Sequence, residues 1–201
     1  MLASSYANQA RQRPELTGQI DSLAWRKYWT DCLADSGILG LSPLGDSNYV
    51  PIDQLVEKAA LKALICFQST LRKKTPEQFL EPTALKEHVD FLSGGYALVL
   101  SGQPQIYPSC CGDLGNLSDW KMAAENESSK WMEMWIGHPT ISARFREGNM
   151  EFSALHEPSE EPVGVQVTTS RAILRDAITQ AESSLNAFRN RLSQMFPEFQ
   201  K

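Results

Sequence analysis

The stretch Ile141–Ala154, read as ISARFREGNMEFSA, decides the fold class, because it has the pattern of two short strands joined by a tight turn. Apolar and polar residues alternate on both sides of Gly148-Asn149, and a two-residue turn between alternating runs is typical of a β-hairpin. The predicted cross-strand pairs are Phe145 with Phe152 and Arg146 with Glu151. The predicted core face consists of Ile141, Ala143, Phe145, Phe152 and Ala154.

Further strand patterns lie on both sides of this hairpin. Each is a short run in which apolar, aromatic or β-branched residues are frequent, and each is bounded by Gly, Pro or acidic turn residues. The predicted strands are Tyr96–Ser101, Ile106–Tyr107, Trp131–Ile136 and Val163–Val167. The sheet is therefore predicted to be antiparallel and built from short strands.

Four segments carry apolar residues at the spacing of one helix face. The predicted helices begin at about Ile20, at Ile52 (to about Lys73), at Thr83 (to about Ser93) and at Ser170 (to about Met195). Together with the strands they predict an α+β fold, in which an antiparallel sheet of about five to six short strands is packed by helices from the N- and C-terminal parts of the chain.

Length and composition predict the domain organisation. The chain has 201 residues, 42% of them hydrophobic, which is sufficient for one core. Residues 1–18 are mostly polar and are predicted to form an arm. Residues 19–201 are predicted to form a single α+β domain.

Charge and hydropathy exclude several classes of partner. The net charge is −5 and the pI is about 5.3, whereas nucleic acids and anionic membranes require a basic surface. The sequence has no apolar run of transmembrane length and no signal-peptide pattern at its start. The four cysteines lack the spacing of a disulfide framework or a zinc ribbon. We therefore expect a cytoplasmic protein that binds neither nucleic acid nor membranes.

The segment Ile106–Trp120, read as IYPSCCGDLGNLSDW, is the one whose composition neither core packing nor solvation explains. Cys110 and Cys111 follow a Pro-Ser pair and precede a glycine, so they lie in a turn. A bond between neighbouring cysteines would close a small strained ring, and strained disulfides are easily reduced. Asp113 is predicted to bond to nearby backbone N–H groups, and Ser118 to cap a helix that begins near Trp120.

Two kinds of chemistry are conceivable at this turn. Cys110 and Cys111 could bind a metal with His138 or His156, but adjacent cysteines bind one metal only with strained geometry. Cys111 could instead act as a nucleophile, because it precedes a predicted helix N-terminus. No histidine lies next to it in the sequence, and a nearby carboxylate raises a thiol pKa. The sequence also lacks the common nucleotide-binding, esterase and metalloprotease signatures.

Surface recognition is the leading interpretation. Tryptophans are frequent around the turn, and exposed aromatic side chains dominate binding hot spots. Glu133 between two tryptophans indicates partial exposure of the strand, although that strand could equally be buried on both faces. The candidate binding residues are Cys110, Cys111, Asp113, Trp120, Trp131, Glu133, Trp135 and His138.

The sequence therefore favours a binding or protein-interaction protein without a cofactor, of a bacterial immunity or adaptor type, whose partner is a protein. The long C-terminal helix could in addition form a homodimer interface. The alternative is a thiol-dependent enzyme or a metal-binding protein that uses the Cys110-Cys111 loop.

Overall fold

A computed structural model describes residues 44, 49–61, 64, 92 and 94–195. The predictions for the arm over 1–18, for the helix from Ile20 and for nearly all of the helix from Thr83 lie outside the described residues. The described residues fall into two compact units: one contains 44, 49–61, 64 and 191–195, and the other contains 92 and 94–190. The single domain predicted over 19–201 stays a prediction.

The strands form two antiparallel sheets. A two-stranded sheet pairs β1 (Leu98–Leu100) with β2 (Gln103–Ile106). The four-stranded sheet has the order β3-β4-β5-β6, with strands at Met132–Met134, Ile141–Arg146, Asn149–Phe152 and Val167–Ser170. The predicted α+β class is confirmed. The six strands of the described residues lie in two sheets, where a single sheet was predicted.

Beside these sheets the described residues form the helices α1 at Leu117–Glu125 and α2 at Arg171–Met195. The long C-terminal helix is thus confirmed to within one residue at its start. The helix predicted from Ile52 begins later: Ile52–Gln54 form a 3-10 helix, and α-helical residues follow at 58–61 and 64. The rest of that prediction, to about Lys73, lies outside the described residues. No helix in the described part of the chain is both long and apolar enough to cross a membrane.

The hairpin forms, but its register differs from the predicted one. Phe145 pairs with Met150, not with Phe152, and Arg146 pairs with Asn149. The two turn residues are Glu147 and Gly148, with φ of 50° and 83°, the backbone that a type I′ turn requires. The predicted turn was wrong by one residue, which shifts every pair by two positions. Such a shift leaves each side chain on its predicted face, so the hydrophobic pattern alone cannot detect it.

The core of this second unit lies between the inner face of the sheet and the two helices. The Trp120 ring of α1 packs on Phe152 with centroids 5.6 Å apart, and the Arg171 guanidinium of α2 stacks on Phe145 at 3.7 Å. The buried side chains of the sheet and of the segment following β3 are Met134, Ile136, Ile141, Ala143, Met150, Phe152 and Val167. Leu174 and Ile178 of α2 are also buried.

The last strand begins later than predicted. Val163 and Val165 are 79% and 44% exposed and lie outside β6, which begins at Val167. Gly164 between them has a φ of 68°, a left-handed conformation that interrupts an extended strand. The alternating valines are therefore a surface loop followed by a strand, and the prediction of one strand from Val163 was wrong.

Candidate functional site

The loop that carries both cysteines, here called the thiol loop (residues 107–113), is held against the segment that follows β3. The Ser109 N–H donates to the Ile136 carbonyl at 2.8 Å, and the His138 N–H donates to the Cys110 carbonyl at 2.7 Å. These bonds place the cysteine pair beside His138, although the two lie 28 positions apart in the chain. The thiol loop therefore runs beside residues 136–138, the segment that directly follows Trp135.

The two segments approach each other so closely that glycines are required at the contact. A Cβ atom on Gly137 would overlap the Cys110 carbonyl oxygen and lie 2.6 Å from that of Ser109. The φ of Gly137, 110°, also excludes most side chains. A Cβ on Gly112 would lie 2.6 Å from the Ile136 carbonyl oxygen. The backbone of the thiol loop is therefore tightly packed although its thiols reach solvent.

Cys110 and Cys111 are both exposed, and neither forms a disulfide. The Cys110 thiol donates a hydrogen bond to the His138 carbonyl oxygen at 2.8 Å. Cys111 has a φ of 64°, so the chain bends sharply at the pair. A hydrogen bond with Cys110, electrostatic repulsion by Cys110 and partial desolvation raise the pKa of the Cys111 thiol. The Cys111 thiol therefore loses its proton less readily than an ordinary thiol.

Neither described histidine activates a thiol. The His138 ring lies 2.6 Å from a carboxylate oxygen of Glu157, and both side chains are about half exposed. His156 is buried, and its ring nitrogens contact the Ser142 hydroxyl at 3.0 Å and the Glu157 carbonyl at 2.9 Å. Because a carbonyl only accepts, Nδ1 donates to the Glu157 carbonyl, and Nε2 is hydrogen-bonded to the Ser142 hydroxyl. His156 is thus a structural histidine of the sheet edge.

Asp113 stabilises the chain that leaves the thiol loop. Its carboxylate accepts the Gly115 N–H at 2.9 Å, and its own N–H donates to the Asn116 side chain at 2.7 Å. This reciprocal arrangement is a capping box around the 3-10 helix Leu114–Asn116. The predicted bonding of Asp113 to backbone is confirmed. Ser118 lies inside α1, which begins at Leu117, so the prediction that Ser118 is the N-cap was wrong.

The three tryptophans in the described part of the chain occupy different environments. Trp120 is 3% exposed and belongs to the core, so its ring is not part of the surface. Trp131 is half-buried beneath the Arg144 guanidinium, which lies 4.2 Å from the ring centroid. Trp135 is 39% exposed, and its backbone N–H donates to the Asp119 carboxylate at 3.1 Å. Trp135 is therefore the tryptophan that is available for contact.

Glu133 lies on the exposed face of β3 and does not pair with Arg144. Its carboxylate accepts the Ser159 N–H at 3.1 Å, while Arg144 contacts Glu151 at 2.7 Å. Arg144 and Glu151 face each other directly across β4 and β5. Glu133 instead bonds to the backbone of residues 157–162, which we call the acidic turn. Glu133 thus attaches that turn to the sheet.

Among residues 44, 49–61, 64, 92 and 94–195, no three His, Cys, Asp or Glu side chains are arranged to hold a metal ion. Cys110 and Cys111 are neighbours in sequence, but the Cys110 thiol contacts the peptide carbonyl of His138 and the His138 ring contacts Glu157. The metal-binding alternative therefore has no ligand cluster to support it in the part of the chain that is described.

Comparison of the chain with protein-family models, with curated proteins and with solved structures finds no match. Five exposed residues lie on the thiol loop and on the segments bonded to it, and we call them the loop surface: Cys110, Cys111, Trp135, His138 and Glu157.

Three residues of this surface and its support were missed in the sequence. Glu157 pairs with His138, Asp119 anchors Trp135, and Gly137 allows the close approach of the thiol loop. A glycine immediately before His138-Pro139 is a local signal for an unusual backbone. The pairing of Glu157 with His138 and that of Asp119 with Trp135 have no such signal, because the two residues of each pair lie on separate segments of the chain.

Proposed function

We propose that this protein is a non-enzymatic binding protein that recognises a protein partner through the loop surface. The observation that carries the proposal is Trp135, whose large side chain is 39% exposed while its backbone is anchored to Asp119. Exposed tryptophans contribute strongly to protein–protein contacts because one side chain supplies a large apolar area and an N–H donor.

The rigidity of the loop surface supports this role. Backbone bonds hold the thiol loop to residues 136–138, and the His138–Glu157 pair attaches the acidic turn beside it. A partner would meet a surface whose backbone is already ordered, so little conformational entropy would be lost on binding. His138 and Glu157 supply polar groups at the edge of the apolar Trp135 ring, the usual composition of an interface.

The thiol-enzyme alternative receives less support. A nucleophilic cysteine needs its thiolate near neutral pH, and the raised pKa of Cys111 opposes this. The Cys110 thiol donates to a carbonyl oxygen, and the described imidazoles contact Glu157 and Ser142. General-base activation therefore has no geometric basis among the described residues.

Charge indicates the chemistry of the partner. The chain carries a net charge of −5, and Glu133 and Glu157 lie on or beside the loop surface. A basic protein surface would be attracted to this acidic one. We propose a cytoplasmic immunity or adaptor role of bacterial type, since the four cysteines lack the spacing of the disulfide framework of a secreted protein.

The experiment that tests the proposal is site-specific photo-crosslinking. A photoreactive amino acid placed at Trp135 should give a discrete adduct with one protein in extracts of the source cell, and the adduct should be identified by mass spectrometry. The same amino acid at Ile173, which is 56% exposed on α2, is the matched control and should give no such adduct.

Binding of the identified partner is then measured directly with purified proteins. Trp135→Ala should weaken binding by about 2 kcal/mol, or roughly thirtyfold in Kd, as expected for a hot-spot aromatic residue. Ile173→Ala should leave the Kd unchanged. Equal affinities for wild type and Trp135→Ala, or adducts at both positions alike, would contradict the proposal.

A further inference from the structure

The pair of thiols has a property that the binding role does not use. Cys110 and Cys111 are adjacent, exposed and not in a disulfide, and the Cys110 thiol contacts only a peptide carbonyl and its neighbouring cysteine among the described partners. Two neighbouring Cα atoms are about 3.8 Å apart, which is shorter than the usual separation in a disulfide. Both sulfur atoms can therefore be reached by one small reagent, and a bond between them would be strained.

We propose that Cys110 and Cys111 form a reversible oxidation site that reacts by thiol–disulfide exchange with low-molecular-weight disulfides of the oxidised glutathione type. The product is a disulfide between the two adjacent cysteines. This inference is independent of the protein partner proposed above, because it concerns only the chain and a small disulfide.

The reaction begins at Cys110. The Cys110 thiol gives up its proton, and the thiolate attacks one sulfur of oxidised glutathione. The glutathione disulfide breaks, one glutathione leaves as a thiolate and takes up the proton, and Cys110 becomes a mixed disulfide. At this stage one disulfide has been exchanged for another, with no net change in electrons.

The second step closes the ring. The Cys111 thiolate attacks the Cys110 sulfur, the mixed disulfide breaks, and the second glutathione leaves and takes up the Cys111 proton. The protein dithiol has then lost two electrons and two protons, and oxidised glutathione has gained them as two thiols. No further oxidant is required.

The environment of the pair favours this order. The pKa of Cys111 is raised first by its hydrogen bond with Cys110 and then by repulsion from Cys110. Both effects end when Cys110 is in a mixed disulfide, because its sulfur then carries no negative charge that could repel the Cys111 thiolate or accept the Cys111 proton. Cys111 therefore ionises more readily at the moment when its attack is needed.

The strain of the product makes it reversible. A disulfide whose geometry departs from the relaxed one has a higher reduction potential and is reduced readily by thiols. Oxidation also removes the proton with which Cys110 bonds to the His138 carbonyl, next to the His138–Glu157 pair. Oxidation therefore removes a hydrogen bond within the loop surface itself.

Mass spectrometry of one tryptic peptide tests the proposal on the intact chain. Cleavage after Lys86 and Lys121 releases residues 87–121, which contain Cys110, Cys111 and no other cysteine. The folded protein is incubated with oxidised glutathione, and free thiols are then blocked with iodoacetamide. After tryptic digestion, the mass of the peptide is measured. The expected peptide has lost two hydrogen atoms and carries no alkyl group, and dithiothreitol restores the dithiol.

Two serine variants separate the steps. Cys111→Ser lacks the thiol of the second step, so its peptide should stop with one glutathionyl group on Cys110. Cys110→Ser should likewise stop with one glutathionyl group, on Cys111. Circular dichroism confirms that both variants are folded. If the wild-type peptide stays fully alkylated, or accumulates glutathionyl adducts as the serine variants do, the adjacent disulfide does not form and the proposal is overturned.

Discussion

At the scale of single residues, the Cys110-Cys111 pair shows how two identical side chains acquire different chemistry. Cys110 donates to the His138 carbonyl, whereas the pKa of Cys111 is raised chiefly by its hydrogen bond with Cys110 and by repulsion from it. A raised thiol pKa means that less thiolate is present at neutral pH. Cys111 should therefore be alkylated slowly near neutral pH and faster as the pH rises above the ordinary thiol pKa.

Substitution of Cys110 tests this cause. Cys110→Ser removes both the thiol partner and its charge, so the pKa of Cys111 should fall toward its ordinary value. The alkylation rate of Cys111, followed in the peptide 87–121 as a function of pH, should then rise at a lower pH than in the wild type. An unchanged pH profile would show that Cys110 does not control Cys111. In the wild type, limiting iodoacetamide should label Cys110 before Cys111.

Alanine substitutions at Gly137 and Gly148 together test how tightly the thiol loop is packed. Both have positive φ, but a Cβ on Gly137 would collide with two carbonyl oxygens, whereas a Cβ on Gly148 would meet nothing within 4 Å. Gly148→Ala should lower the free energy of unfolding by about 1 kcal/mol through backbone strain alone. Gly137→Ala should lower it by about 3 kcal/mol or more, because backbone atoms cannot move aside easily.

Chemical denaturation of both glycine variants measures these differences. Equal losses at Gly137 and Gly148 would mean that the thiol loop does not lie against residues 136–138 as described. Reactivity supplies a second measurement, since displacement of the thiol loop by Gly137→Ala should also change the alkylation rate of the cysteine pair, and Gly148→Ala should leave it unchanged.

At the scale of elements, the β4–β5 hairpin has two properties of different origin: the face on which each side chain lies, and the register of the two strands. The face of each residue follows from alternation, and a shift of two positions preserves it. The register follows from the turn, where Glu147 and Gly148 both adopt positive φ. Asn149 follows this glycine, and in the sequence it resembled a turn residue. In the structure it is the first residue of β5 and pairs with Arg146.

Double-mutant cycles distinguish the two registers. Arg144 and Glu151 are mostly buried and 2.7 Å apart, so the cycle with Arg144→Met and Glu151→Gln should give a coupling of about 1 kcal/mol in the free energy of unfolding. The cycle with Arg146→Met and Glu151→Gln is the control and should be additive within about 0.4 kcal/mol. The reverse result would restore the register with a Gly148-Asn149 turn.

At the scale of the whole molecule, net charge limits the partners. The charge of −5 repels the phosphate backbone of nucleic acids, which is also negative. The protein should therefore show no binding to labelled duplex DNA in fluorescence anisotropy at about 0.1 mM protein and about 0.15 M salt. A basic protein of similar size serves as the positive control. Saturable binding that weakens with salt would contradict this prediction.

Much of the fold could be read from the sequence because it depends on neighbouring residues. The apolar stripe of α2, the two faces of the hairpin and the capping role of Asp113 are properties of consecutive positions, and all of them are found in the structure. The start of β6 could not be read correctly, because the alternating valines from Val163 resemble a strand until Gly164 bends the chain.

The amino-acid sequence by itself determined the α+β class, the long C-terminal helix and the unusual composition of the thiol loop, because periodicity and turn chemistry act over a few residues. Only the tertiary structure decided that Trp120 is buried while Trp135 is exposed, and that the Cys110 thiol meets the carbonyl of His138. These outcomes depend on contacts between residues 16 and 28 positions apart, which packing and main-chain pairing bring together and which no local pattern encodes.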